Sequence, residues 1–211
     1  MSLHDETFRE LARRHLHRRD PEFRRLIRIV GTFDLVPHKR RSPFESLARA
    51  IAHQQLNGTA ANTILGRFCA LSPEEKFPSP EKILALDPKL IRGVGFSENK
   101  VKAVRDLAEK TIAGVVPTTR KLNTLDDEEI IERLTQVLGI GRWTVEMLLI
   151  FQLGRPDVLP VDDFGVRNGL RLLQGSDALM TPKLLRNYGE RWAPHRSAAA
   201  WYLWRATEVL K

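Results

Sequence analysis

Residues 138–144 read Leu-Gly-Ile-Gly-Arg-Trp-Thr and sit between two helical patterns. Upstream, Glu132, Leu134, Val137 and Leu138 close an amphipathic helix. Downstream, Trp143, Met147, Leu148, Ile150 and Phe151 recur at the spacing of a second, almost wholly apolar one. A link this short predicts a tight hairpin. Gly139 can adopt the left-handed conformation that ends the first helix, and Gly141 lets a bulky group approach the backbone at the start of the second. Such a turn aims N–H groups outward at a helix N-terminus, where a phosphate is the natural ligand. An ordinary helix-turn-helix corner has the same glycine spacing, so these seven residues alone leave both readings open.

Charge narrows the choice of ligand without deciding it. The formal net charge is +8, but residues 51–140 are neutral, with 12 basic and 12 acidic side chains, and the excess lies in the flanking segments. A basic chain attracts polyanions, although a solvated basic surface looks the same in composition. A hairpin in the neutral middle must therefore hold a phosphate largely with backbone amides and helix dipole, helped by Arg142. The one cysteine, Cys69, rules out an intramolecular disulfide framework and four-cysteine zinc or iron–sulfur sites. The N-terminus is charged from Asp5 onward and no apolar run reaches membrane-spanning length. The expectation is a soluble intracellular protein with no signal peptide and no membrane partner.

No alternating strand pattern persists in the chain, so the fold class expected is all-α, with roughly ten helices. Asp20-Pro21 and Ser42-Pro43-Phe44-Glu45 have the form of helix starts, the latter with Glu45 in the capping-box position. The helix from Pro43 ends in the polar, turn-like His53-Gln54-Gln55-Leu56-Asn57-Gly58. A second Gly-x-Gly at Gly93-Val94-Gly95 reads as a tight corner before a helix capped by Ser97. After Gly114 and Pro117 comes a connector, before Leu125-Asp126-Asp127-Glu128-Glu129 opens the helix that leads into the hairpin. The basic cluster Arg13, Arg14, Arg18 and Arg19 reads as a solvated helix face. Beyond Phe151 a proline-bounded loop leads to Val161-Asp162-Asp163-Phe164-Gly165, where two adjacent carboxylates begin a helix. An Asp there serves as an N-cap with no further duty required.

The joint pattern says more than its parts. Gly139-Ile140-Gly141-Arg142-Trp143-Thr144 resembles a helix-hairpin-helix motif, and Asp163 follows 24 residues after Gly139 within Leu-Pro-Val-Asp-Asp-Phe-Gly-Val-Arg. Upstream stand Pro43-Phe44-Glu45 and Arg49-Ala50-Ile51-Ala52-His53-Gln54-Gln55-Leu56. Downstream stand Tyr188 to Ser197, Trp201 and Trp204. Together these resemble the helix-hairpin-helix DNA glycosylases, specifically the 3-methyladenine DNA glycosylase II (alkylbase DNA glycosylase) family, over about residues 40–208.

The resemblance implies two helical lobes with the active site in the cleft between them. Residues 1–40 are expected as N-terminal helices packing with the C-terminal lobe. Residues 41–150 carry the wedge loop and the hairpin, and residues 151–211 carry the catalytic carboxylate. It implies Asp163 as that carboxylate, with Asp162 as the alternative register, and Trp143, Trp204 and Met147 as walls of a base pocket. Gly139, Ile140, Gly141, Arg142 and Thr144 would form the DNA-binding hairpin, and Gln54, Gln55 and Leu56 the wedge that fills the vacated duplex position. No cofactor is implied for the chemistry; a monovalent cation, sodium or potassium, is implied on the main-chain carbonyls of Thr135, Val137 and Ile140. Trp143 stands where strand-cleaving relatives carry a lysine, so no Schiff base and no lyase activity are expected. The partner implied is double-stranded DNA containing alkylated bases, acted on by a monomer in the nucleoid of a prokaryotic cell. The rival is a noncatalytic helix-hairpin-helix protein that recognises damaged or branched DNA.

Overall fold

The computed structural model describes residues 3, 6–38, 40–56 and 58–210. Among them are thirteen α-helices, one π-helical turn and one 3-10 turn, with no strand. The chain divides into two compact units, one formed by residues 1–39 and 149–211 and the other by residues 40–148.

The unit of residues 40–148 holds α3 (Pro43–His53), α4 (Gly58–Cys69), α5 (Pro80–Ala85), α6 (Pro88–Gly93), α7 (Glu98–Ile112), α8 (Thr119–Leu122), α9 (Asp127–Leu134) and α10 (Arg142–Leu148). Ser42 caps α3 by accepting from Glu45 N at 3.1 Å, while the Glu45 carboxylate accepts from Arg49 Nε at 2.8 Å. Ser97 caps α7 in the same way, accepting from Lys100 N. The apolar stripe of α7, Val101, Val104, Leu107 and Ala108, is buried, and α7 packs against α3, α5 and α6. Helices end with carbonyls that lack intrahelical partners, and α7 supplies cations to two such ends. Arg105 donates to the carbonyls of Ile83, Leu84 and Leu86 at the C-terminal end of α5, and Lys100 Nζ donates to those of Ala52 and Gln54 at that of α3. Burial pushes the Lys100 ammonium below its ordinary range, and two close carbonyls offset that cost. Phe68 stacks on Phe96 and meets Phe77 edge-on to fill the base of this core.

The other unit holds α1 (Glu6–Arg19), α2 (Pro21–Val30), a π-helical turn (Leu149–Leu153), α11 (Phe164–Gln174), α12 (Pro182–Gly189), a 3-10 turn (Glu190–Trp192) and α13 (Arg196–Val209). Its core is aromatic: Phe23, Phe33, Trp192 and Tyr202 are fully buried. Asp20 is buried too, and both its oxygens are used. Oδ1 caps α2 by accepting from Glu22 N, and Oδ2 accepts from the Trp192 indole at 3.0 Å. Tyr202 donates to the Gly31 carbonyl at 2.9 Å, and burial pushes its phenol up to about 12. Helices α11 and α13 pack closely. Gly165 and Gly169, one turn apart, form the face of α11 that meets α13, and a Cβ at Gly169 would lie 1.9 Å from the Leu203 carbonyl oxygen. Only hydrogen fits there.

The structure departs from the expected elements in two places. Residues 119–122 form a helical turn where a connector was expected, because Thr118 accepts from Lys121 N; four residues are too few for an apolar period to register. The apolar helix after Trp143 does not continue as α-helix through Phe151 but opens into the π-helical turn from Leu149.

Candidate active site and nucleic-acid interface

The hairpin forms as the glycine spacing requires. Asp126 caps α9 by accepting from Glu129 N, and Asp127, Glu128 and Glu129 occupy its first turn, where negative charge suits the dipole. After α9 the chain turns through Gly139, whose φ of +77° is the left-handed conformation expected of it. Gly141 has ordinary φ, and a Cβ built on it meets nothing within 4 Å. Neither glycine amide donates a hydrogen bond among the described residues, so both remain available to an anion. Ile140 is buried and anchors the turn from below.

Two residues expected beside the phosphate are placed differently. The Arg142 guanidinium is held by Glu128 through two hydrogen bonds and by Glu146 Oε1 at 3.2 Å. Glu128, then Glu146, hold its proton more firmly than usual. Arg142 therefore braces α10 against α9 and does not reach outward as a single cation. Thr144 is only 7 % exposed, and its amide closes the first turn of α10 on the Gly141 carbonyl. The backbone is what the turn presents.

Helix α7 fixes the hairpin from behind. Asp106 Oδ2 accepts from Leu138 N at 2.7 Å, and Lys110, paired with Asp106, donates to the Gln136 carbonyl at 2.6 Å. Lys110 thus places one positive charge two residues past the end of α9. The carbonyls of Thr135, Val137 and Ile140 are hard, neutral oxygens of the kind a monovalent cation takes, and the Val137 oxygen also accepts from Ile140 N.

The loop after α3 lies against this hairpin. Gln54 Nε2 donates to the Gly139 carbonyl at 2.8 Å, joining the two turns directly. Gln55 is exposed and has φ of +60°, the only non-glycine residue with positive φ among those described. Leu56 is 39 % exposed. A bulky residue in left-handed backbone is uncommon and worth reading as a functional feature.

Trp143 and Met147, one turn apart on α10, share a face. Trp143 is 46 % exposed and Met147 half-buried. Trp192 and Trp201 are core residues.

In the other unit, Asp163 is the N-cap of α11, accepting from Val166 N at 2.8 Å through Oδ1. The same oxygen accepts from Trp204 Nε1 at 2.8 Å. Capping is thus real, and a second donor has been added to it. Asp163 is half-buried and Asp162 exposed. Phe151 stacks on the Trp204 indole, with ring centres 5.4 Å apart and planes at 27°. Phe164, next to the carboxylate, is 66 % exposed. Sequence reasoning missed Phe151, Phe164 and the Asp106–Lys110 brace. The last had a legible signal in its i, i+4 opposite charges, but nothing in sequence tied it to the hairpin.

Comparisons with known proteins place these features in context. The model for the HhH-GPD superfamily base excision DNA repair protein matches residues 48–195. DNA-3-methyladenine glycosylase 1 of Schizosaccharomyces pombe is 44% identical over 198 residues, covering 92% of this chain and 86% of that one. The structure of S. pombe 3-methyladenine DNA glycosylase (Mag1) in complex with abasic DNA superposes with a TM-score of 0.86, covering 94% of this chain and 97% of that one. That of a Bacillus halodurans DNA-3-methyladenine glycosidase, 32% identical, superposes with a TM-score of 0.85 and covers 99% and 92%.

Proposed function

The chain belongs to the HhH-GPD superfamily of base excision DNA repair proteins, and on that premise we propose that it is a monofunctional DNA N-glycosylase. It removes alkylated purines of the 3-methyladenine and 7-methylguanine type from duplex DNA and leaves an abasic site. The observation that carries the reading is the half-buried Asp163 carboxylate, held at the head of α11 by two donors on one oxygen.

The chemistry follows from what a carboxylate can do. As the C1′–N bond lengthens, its electron pair goes to the base and positive charge builds on the sugar. Asp163 stabilises that charge, and water then bonds to C1′ as its proton is taken up by the carboxylate or solvent. An alkylated purine is already cationic, so it departs neutral. The base must leave the stack first. The electron-rich face of Trp143, with Met147 beside it, offers a cationic base a surface, and Phe164 adds an exposed ring beside Asp163. Gln55 and Leu56, exposed on a strained turn, fill the vacated position, with Gln54 tying them to the hairpin. The amides of Gly139 and Gly141 bind a phosphate, and a monovalent cation on Thr135, Val137 and Ile140 would add positive charge behind them. The chain has Trp143 where a Schiff-base lysine would be needed, so strand cleavage does not follow. No helix of the described residues is long and apolar enough to cross a membrane. The place of action is the DNA-bearing compartment, the nucleoid if the cell is prokaryotic.

The direct test is chromatography of free base released from methylated duplex DNA at fixed salt. Release of 3-methyladenine and 7-methylguanine without strand nicking is expected. DNA binding with no base released from any alkylated duplex would sink the enzyme reading and favour a noncatalytic damage-binding protein. Gly141→Asp tests the phosphate seat cleanly, because the position is open and its φ is ordinary. A carboxylate there should weaken binding to all duplex sequences alike, by about 10-fold or more, since the contact is to phosphate and not to base edges. Titration against two unrelated sequences checks it.

A further inference from the structure

We propose that Trp204 serves as the positioning residue of the carboxylate, fixing Asp163 through its indole N–H, and not chiefly as a wall of the base pocket. The proposal rests on the glycosylase reading above and concerns how its reactive group is held.

One edge and one face of the indole are already committed. Nε1 donates to Asp163 Oδ1 at 2.8 Å. One ring face is stacked by Phe151. The edge bearing Cδ1 and Nε1 lies over Gly165, where a Cβ would stand 2.8 Å from Cδ1 and 3.2 Å from Nε1. A stacked base needs an open face, and a ring clamped in this way has little freedom to adapt to different lesions. It is well suited to holding one direction.

That direction is what the carboxylate needs. A lone N-cap bond leaves an Asp side chain free to rotate about its last torsion and exchange its oxygens. Here the backbone amide of Val166 and the indole converge on the same oxygen, so exchange breaks both bonds at once. A hydrogen bond to a carboxylate is stronger than one between neutral partners. Catalysis is sensitive to this kind of alignment: about 1 Å of misplacement can cost two orders of magnitude.

The packing explains how a residue 41 positions away can be aimed so closely. Gly169 lies on the backbone of Leu203, the residue before Trp204. Gly165, one turn earlier on the same face of α11, leaves the gap that the indole fills. The contact that sets the separation of α11 and α13 thus also sets the reach of the donor.

The test is Trp204→Phe, which keeps an aromatic ring and removes the N–H, run beside wild type on 3-methyladenine and 7-methylguanine duplexes. A positioning role predicts a kcat lowered by about 10- to 100-fold, equally for both lesions, with KM and DNA affinity nearly unchanged. A raised KM with kcat intact, or a loss that differs between the lesions, would overturn the proposal in favour of a pocket wall. Wild type run alongside separates the two ideas: if it releases no base, the glycosylase reading fails first. Where Trp204→Phe does not fold, the indole N–H resonances of wild type and Asp163→Ala, which lacks the acceptor, decide. The indole signals of Trp192, bonded to Asp20, and of Trp204 should both lie downfield in wild type, and only one of them should move upfield in the variant; four unchanged signals would overturn the proposal.

Discussion

Asp163→Asn should release free base about a thousandfold more slowly than wild type while binding DNA at least as well. The loss corresponds to ~4 kcal/mol of transition-state stabilisation, the scale at which a preorganised charge beside a developing cation operates. The substitution isolates charge because it preserves shape. Asparagine is as good an N-cap as aspartate, and its carbonyl oxygen can still accept from Val166 N and the Trp204 indole. Helix α11 therefore has no reason to fray, and an unchanged melting temperature is part of the expected result. Asp162→Asn, at an exposed position, should retain activity within a few-fold. The opposite pattern, with loss confined to Asp162→Asn, would move the reacting carboxylate by one residue. Equal retention in both variants would remove carboxylate catalysis from the mechanism altogether.

The second large effect is on stability. Gly169→Ala places a methyl group 1.9 Å from the Leu203 carbonyl oxygen, and a backbone atom cannot swing aside as a side chain does. Either α13 moves away or the methyl remains in overlap, so a loss of ~3 kcal/mol or more is expected. For a chain of 211 residues that lowers the melting temperature by about 6–12 °C. Differential scanning calorimetry checks the figure. Because Leu203 precedes Trp204, a folded Gly169→Ala protein should also lose base release beyond what stability explains. A variant as stable and active as wild type would contradict the close packing described for α11 and α13.

The chain discloses these features unevenly. Gly139 was legible because a left-handed residue between two helical patterns leaves glycine as the natural choice, and the Asp20, Ser42 and Ser97 caps were legible because capping is a local bond across two or three residues. The all-helical fold followed from a period that the sequence carries throughout. Arg142 was legible as a cation near the turn, but not its engagement with Glu128, 14 residues earlier. Its orientation is a contest between protein carboxylates and an external anion that spacing does not express. The same holds for Asp163. Its capping bond could be expected, whereas its second donor comes from 41 residues away and depends on the packing of α11 against α13. Helix α8 and the π-helical turn were missed for a different reason, being departures from the regular period by which helices are recognised.

Helix α7 gives the turns after α3 and α9 a shared mechanical property. Its Lys100 holds the carbonyl of Gln54, its Asp106 the amide of Leu138, and its Lys110 the carbonyl of Gln136, while Gln54 bridges to Gly139. On the proposed function, one of these turns presses into the duplex and the other grips its backbone. A stroke that unstacks a base costs a few kcal/mol, and it is wasted if the gripping point recoils with the pressing one. Bolting both to one rod turns them into the fixed jaws of a single tool, so thrust at one jaw is met as tension at the other and the strain is delivered to the DNA.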